Sequence, residues 1–155
     1  MSRSYNYKKI AEKEYNISLN KIEKMMGNHT TYDNELVKYG KTLFKSKFIG
    51  VFAADNYPTK IKNGTCFIIN LDKKNEPGSH WCAICKEANN DVLWVYDSFA
   101  RDVHQILPTI YKNKNKIKTT EKDAEQSVSE TNCGQRSLAF IDVFLKLGPL
   151  YAKWI

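Results

Sequence analysis

Cys133 stands where a polar stretch, "SETN" (129–132), gives way to the apolar run that ends at Gly148. A cysteine used for packing would sit one turn further in, beside Leu138, Ile141 and Phe144. A thiol at the first turn of a helix instead feels the positive end of the backbone dipole and unpaired N–H groups, which favour the thiolate. The adjoining Gly134 lets another backbone or a substrate come close. These are the requirements of a nucleophilic sulfur. Such a nucleophile also needs an imidazole to exchange its proton and an acceptor behind that imidazole.

The chain has three histidines, at 29, 80 and 104. His29 and His104 lie in polar surroundings, whereas His80 opens an apolar segment after a Pro-Gly-Ser loop, where a ring projects from the rim of a sheet. Asp97 closes the next apolar segment. If the two segments pair across the turn 88–91, the start of one meets the end of the other, and His80 and Asp97 become cross-strand neighbours. Oxyanion stabilisation is then expected from the Cys133 N–H and from the side-chain amide of Gln126, seven residues upstream.

The elements that would position these groups follow from the hydrophobic pattern. Residues 1–29 carry six Lys/Arg against three Glu and read as a basic N-terminal arm, partly ordered against the main body, in which Ile17, Leu19 and Ile22 can form a short amphipathic turn; residues 30–155 form the domain proper. Thr30 and Asp33 are spaced like a helix cap before Leu36, Tyr39 and Leu43, which predicts a helix over about 31–44 that Gly40 weakens. The run "TCFIINL" (65–71) reads as a strand covered on both faces, followed by a hairpin from 80–87 and 92–98. Three consecutive strands therefore predict an antiparallel core sheet. Val103, Ile106, Leu107 and Ile110 recur at helical spacing until Pro108 bends or ends that helix. The last element, from Gly134 to about Leu147, is apolar on almost every side and belongs in the middle of a domain. The expected class is α+β, a mostly antiparallel central sheet flanked by helices, with the nucleophile at the N-terminus of a buried helix.

Composition bounds the rest. With 155 residues, 42% hydrophobic, the chain is long enough for one domain with its own core and too apolar for a disordered one. No apolar run reaches the roughly 18 residues of a membrane span, and the first residues lack the apolar region of a secretory signal, so an intracellular chain is expected. Its four cysteines are accordingly read as free thiols. A zinc site from Cys66, His80, Cys82 and Cys85 is the first rival reading, but strand positions three apart face opposite ways, so Cys82 and Cys85 chelate together only from a turn. The net charge of +7 suits a polyanionic partner, with Lys112, Lys114, Lys116 and Lys118 as candidate DNA contacts beside the plainer reading of a solvated loop. A non-enzymatic, basic nucleic-acid-binding protein is thus a second rival (a virion protein, on the resemblance given next).

The ordered set "GSHWCAICKEANNDVLWVYDSF" and "EQSVSETNCGQRSLAF" resembles the adenovirus maturation proteases (adenains), their virophage and large-DNA-virus relatives and, more distantly, the SUMO proteases. The shared features are His-Trp, an acidic residue seventeen positions after the histidine, and a Gln shortly before Cys-Gly; the similarity spans about residues 31–147. The resemblance implies a papain-like cysteine endopeptidase. In it His80 is general base and acid, Asp97 orients it, Cys133 is the nucleophile and Gln126 the oxyanion donor. Trp81 and Gly134 would line the substrate cleft, Trp81 also shielding the catalytic pair from water. It further implies cleavage of capsid or core precursors after small residues (Gly-Gly or Gly-X) during virion maturation, in the virion and at the assembly site of the infected cell. No cofactor is required, although DNA can serve as activator. A monomer without membrane contact is expected. Within the same chemistry, a deSUMOylase or deubiquitinase is the alternative, since ubiquitin-like tails also end in Gly-Gly.

Overall fold

The computed structural model of the chain describes residues 3–71, 80–102, 107–111, 116–120 and 131–155. Five strands, β1 (Phe48–Phe52), β2 (Cys66–Asn70), β3 (Trp81–Lys86), β4 (Leu93–Tyr96) and β5 (Ile117–Thr119), lie side by side in chain order. Around them are α1 (Arg3–Met26), α2 (Asp33–Phe44), α3 (Cys133–Leu147) and the short α4 (Pro149–Ala152). The fold is α+β. Its β2–β3 and β3–β4 pairings are antiparallel, as the hairpin signals require, but β1–β2 and β4–β5 run parallel. The sheet is therefore mixed rather than mostly antiparallel. The thirteen residues between β1 and β2 are long enough to return the chain to the end it came from, which a parallel pairing demands and a tight turn cannot provide.

Every residue of β2 is buried, in keeping with a strand covered on both faces. On one face Cys66, Ile68, Ala83, Cys85, Trp94 and Tyr96 meet the helices; on the other Phe67, Ile69, Cys82, Ile84 and Val95 join Leu107 and Tyr111. Buried Leu138, Ala139, Phe140, Ile141 and Val143 make α3 the central helix that its apolar sequence predicts. Its Phe140 ring stacks on Tyr96, centroids 4.7 Å apart and planes 3° from parallel.

Residues 3–26, expected as part of an arm, instead form a 24-residue helix packed along α3. Ala11, Tyr15, Leu19, Ile22 and Met26 recur every three or four residues and are all buried in the core shared with α3. Burying a Leu or Ile contributes about 1.5–3 kcal/mol, so this helix is part of what holds the domain together. The apolar stripe is one residue wide, and the basic residues on its other faces dominate the composition. The four-residue α4 is tied to α1 as well, through Tyr7 and Tyr151, whose rings meet edge-on at 4.7 Å.

Helix α2 begins at Asp33, and Glu35, rather than the expected Thr30–Asp33 pair, caps it: Tyr32 N–H donates to Glu35 Oε1 at 3.1 Å. Gly40, unfavourable for helix formation in itself, is required by packing, because a Cβ there would lie 2.4 Å from the Phe48 ring. The helix predicted from Val103, Ile106, Leu107 and Ile110 falls partly outside the described residues; after Pro108 the chain makes only a 3-10 turn, Thr109–Tyr111. The basic segment after it ends in the edge strand β5.

Gly40→Ala should lower stability by about 1–3 kcal/mol in a denaturant titration, overpacking outweighing a helix-propensity gain of about 1 kcal/mol. Combined with Phe48→Ala, which opens the space, its cost should shrink well below the single-variant value. Additive losses would show that the Phe48 ring is not the obstacle.

Candidate active site

His80 immediately precedes β3 and Asp97 immediately follows β4, so the hairpin carries both to the same end of the sheet. The register pairs Ala83 with Tyr96, and its continuation sets Cys82, not His80, opposite Asp97. His80 is thus a diagonal neighbour rather than a direct one. Its ring still reaches the carboxylate: Nε2–H donates to Asp97 Oδ1, a contact buried from solvent. The same Oδ1 accepts the Phe99 N–H at 2.9 Å, while Arg101 Nε stands 4.0 Å from Oδ2.

Cys133 opens α3 and is 7% exposed, against 1% for His80 and 6% for Asp97. All three sit below the surface. With Nε2 committed to Asp97, His80 Nδ1 has no hydrogen-bond partner among the described residues. Burial alone would pull the imidazole's pKa down; the Asp97 bond, then the neighbouring Cys133 sulfur, outweigh it and hold it above the ordinary 6.5. Asp97 moves the other way: burial pushes it up, but the His80 bond and charge, the Phe99 N–H and Arg101 bring it below the usual carboxylate value. The ring is also covered, since Phe99 lies over it at 4.5 Å with Arg101 beyond, 5.1 Å from the Phe99 centroid. Sulfur, imidazole and carboxylate, distant in sequence, therefore converge at one end of the sheet. The arrangement fixes the neutral ring as the Nε2–H tautomer and leaves the Nδ1 lone pair to take a proton from a thiol.

Trp81 and Gly134, expected in a cleft, are both pinned by Thr31. Trp81 is buried, and its Nε1–H donates to Thr31 O at 3.2 Å. A Cβ on Gly134 would lie 2.1 Å from Thr31 Oγ1 and 3.0 Å from Leu36, so the missing side chain admits the segment between α1 and α2. That segment is also held by Gln135, whose Nε2 donates to Gly27 O at 2.8 Å and His29 O at 2.9 Å. Gln126, Lys112 and Lys114 lie outside the described residues. Lys116 forms an ion pair with Asp91, and Lys118 stands 5.7 Å above the Trp94 ring. These two lysines are engaged within the chain.

Sequence reasoning missed Cys82 as a member of the site. It shares a strand face with His80, two residues away, and period-two alternation was the signal for it. Ligand atoms of His80, Cys82 and Asp97 all lie within 4.8 Å of one another, a spacing that can hold a metal ion. Two features oppose ligation: burial, then the Asp97 and Cys133 charges, push the Cys82 thiol well up, and the imidazole and carboxylate are already bonded to each other. Cys85 faces the opposite side of β3, beside Cys66, so the four-residue zinc set does not assemble.

No protein-family model and no curated protein matches this chain.

Burial lowers the His80 pKa and Asp97 is the strongest of the contacts that raise it, so Asp97→Asn should lower it. An NMR titration of the ring signals reads this directly, and an unmoved pKa would dissociate the pair. The linked stability changes follow in sign. The His80 contribution is full below 6.5 and lost as pH rises through its raised value. The Asp97 contribution is present above its unfolded value, 3.8, and lost as pH falls through the depressed one.

Proposed function

We propose that this chain is a cysteine endopeptidase working through Cys133, His80 and Asp97, with the papain-like architecture of the adenain and SUMO-protease group. One observation carries the reading: an imidazole fixed by a buried carboxylate through Nε2 has the Cys133 sulfur, at the first turn of a helix, as its other neighbour.

The chemistry follows from that geometry. Cys133 transfers its proton to His80 Nδ1, and the thiolate attacks a peptide carbonyl carbon. The oxyanion is held by the Cys133 N–H and, in this proposal, by Gln126. Collapse breaks the C–N bond as Nδ1–H protonates the departing amine, leaving a thioester. Water, deprotonated by Nδ1, then attacks the thioester carbonyl; the acid product leaves and the thiol is restored. Asp97 stabilises the imidazolium through both halves of the cycle.

The substrates that fit this proposal are capsid or core precursor polypeptides cut after small residues, Gly-Gly or Gly-X, in the maturing virion and infected cell. The chain acts as a monomer, with DNA as an activator suited to its +7 charge. The metal reading is favoured by the spacing of His80, Cys82 and Asp97, and the same experiment separates it.

Purified chain is incubated with a library of Gly-Gly and Gly-X peptides and with a ubiquitin-like fusion, with and without DNA, and cuts are mapped by mass spectrometry. Cys133→Ala and His80→Ala should lower kcat on the order of 10⁶-fold and Asp97→Asn on the order of 10⁴-fold, because orientation is impaired while the base remains. Activity should survive chelation. Cleavage that persists in Cys133→Ala and dies with chelation would replace the thiol mechanism by a metal-dependent one. Cutting confined to the ubiquitin-like fusion would move the substrate to that class.

A further inference from the structure

A chain of polar contacts, buried at both ends and half-buried at Arg136, joins the residue before Cys133 to the residue before Asp97 by way of α1. Asn132 Oδ1 accepts from Arg136 Nε at 3.2 Å, and Arg136 Nη1 donates to the Tyr15 hydroxyl at 3.1 Å. The Tyr15 hydroxyl in turn meets the Tyr96 hydroxyl at 2.8 Å. Tyr15, Tyr96 and Asn132 are each at most 5% exposed. Tyr96 ends β4 and is followed by Asp97; Asn132 is the N-cap position of α3 and is followed by Cys133.

The two catalytic candidates at the ends of this chain sit on different elements, one on the hairpin and one on a helix. The backbone does not fix the distance between them. Phe140 stacking on Tyr96 and the Ser137 hydroxyl bonded to Trp81 O at 3.3 Å hold the helix against the hairpin. The Asn132–Arg136–Tyr15–Tyr96 contacts add a tie at the residues that flank Cys133 and Asp97, and a hydrogen bond from a charged guanidinium is of the stronger kind. Tyr15 is the only member contributed by α1, and without its hydroxyl Arg136 and Tyr96 lose their common partner.

We propose that Tyr15 and Arg136 are positioning residues that set the Cys133 sulfur at working distance from the His80–Asp97 pair. The N-terminal helix is on this account a component of the catalytic apparatus although none of its atoms touches substrate. The proposal rests on Cys133 being the nucleophile.

The test compares Tyr15→Phe and Arg136→Lys with Tyr39→Phe, which removes an exposed hydroxyl bonded to Met25 O at 3.3 Å and no member of this chain of contacts. Arg136→Lys keeps the charge but cannot bond Asn132 and Tyr15 together in the same fork. The first readout is the rate of Cys133 alkylation by iodoacetamide across pH, located by peptide mapping; Cys66, Cys82 and Cys85 are fully buried. The second is kcat and KM on whichever peptide the chain cleaves. Tyr15→Phe and Arg136→Lys should each lower kcat and the His80-dependent phase of alkylation about 10- to 100-fold. KM should stay within about twofold and the melting temperature should match that of Tyr39→Phe. If wild type shows the fast, His80-dependent alkylation and both variants match Tyr39→Phe, the positioning role is wrong and the protease reading stands. If wild-type Cys133 reacts no faster than in His80→Ala, the nucleophile assignment fails and this inference with it.

Discussion

The hydrogen bond between His80 and Asp97 sets the terms for everything around it. A carboxylate taken out of water is costly unless it is paired, and its removal from a pair leaves the partner stranded in the same dry surroundings. Asp97 meets this cost with two N–H donors on one oxygen, from the His80 ring and the Phe99 backbone, and with Arg101 near the other oxygen. The bond also has a direction. By engaging Nε2 it aims Nδ1 away from the carboxylate, and the ring cannot turn without giving up its strongest contact. Phe99 lies over the ring face at 4.5 Å and covers it from that side. So a single buried contact decides the tautomer and the orientation of the imidazole, and with burial and Cys133 it sets the basicity.

A second constraint lies one residue away on each side. Trp81 follows His80 and Gly134 follows Cys133, and both are locked onto Thr31, one through a hydrogen bond to its carbonyl and the other through the absence of a Cβ. The segment linking α1 to α2 therefore acts as a wedge between the start of β3 and the start of α3. Ser137, donating to Trp81 O at 3.3 Å, ties the same two elements from the helix side. Glycine at 134 is explained by this close approach and needs no substrate to justify it.

These contacts show why some of the molecule was legible in the sequence and some was not. Strands β2 to β4 and helix α3 are dense apolar runs whose period is set by local geometry alone, and His80 and Asp97 could be placed because a short turn fixes which ends of two strands coincide. Closing the turn 88–91 between 87 and 92, where Glu87 N–H donates to Val92 O at 3.0 Å, sets position 82 opposite Asp97 and leaves His80, two residues along the strand, on the diagonal. Helix α1 was hidden because its buried stripe is narrow and the Lys and Arg around it mimic a solvated arm; only a partner such as α3, far along the chain, makes that stripe worth burying. The parallel pairings of β1 and β5 depend likewise on the long connections. Gly40 and Gly134 look like weak points locally and turn out to be sites of contact with residues distant in the chain or in a neighbouring element.

Two thiols approach one imidazole, and the environment gives them different parts. Cys82 lies in the sheet, fully buried, with backbone N–H groups spent on the β ladder; burial, then the nearby Asp97 carboxylate, keep it protonated. Cys133 lies at the first turn of α3, where N–H groups have no partner within the helix and point toward the sulfur's end. A second anion beside Asp97 would raise the electrostatic cost of the site without adding a nucleophile in reach of anything outside. A neutral Cys82 instead fills space as a small apolar group beneath the pair. Replacing it by serine would keep the size while adding a hydroxyl able to bond the carboxylate, and that bond would compete with the one from His80. The sulfur at 82 is thus suited to its position by being a poor hydrogen-bonding group.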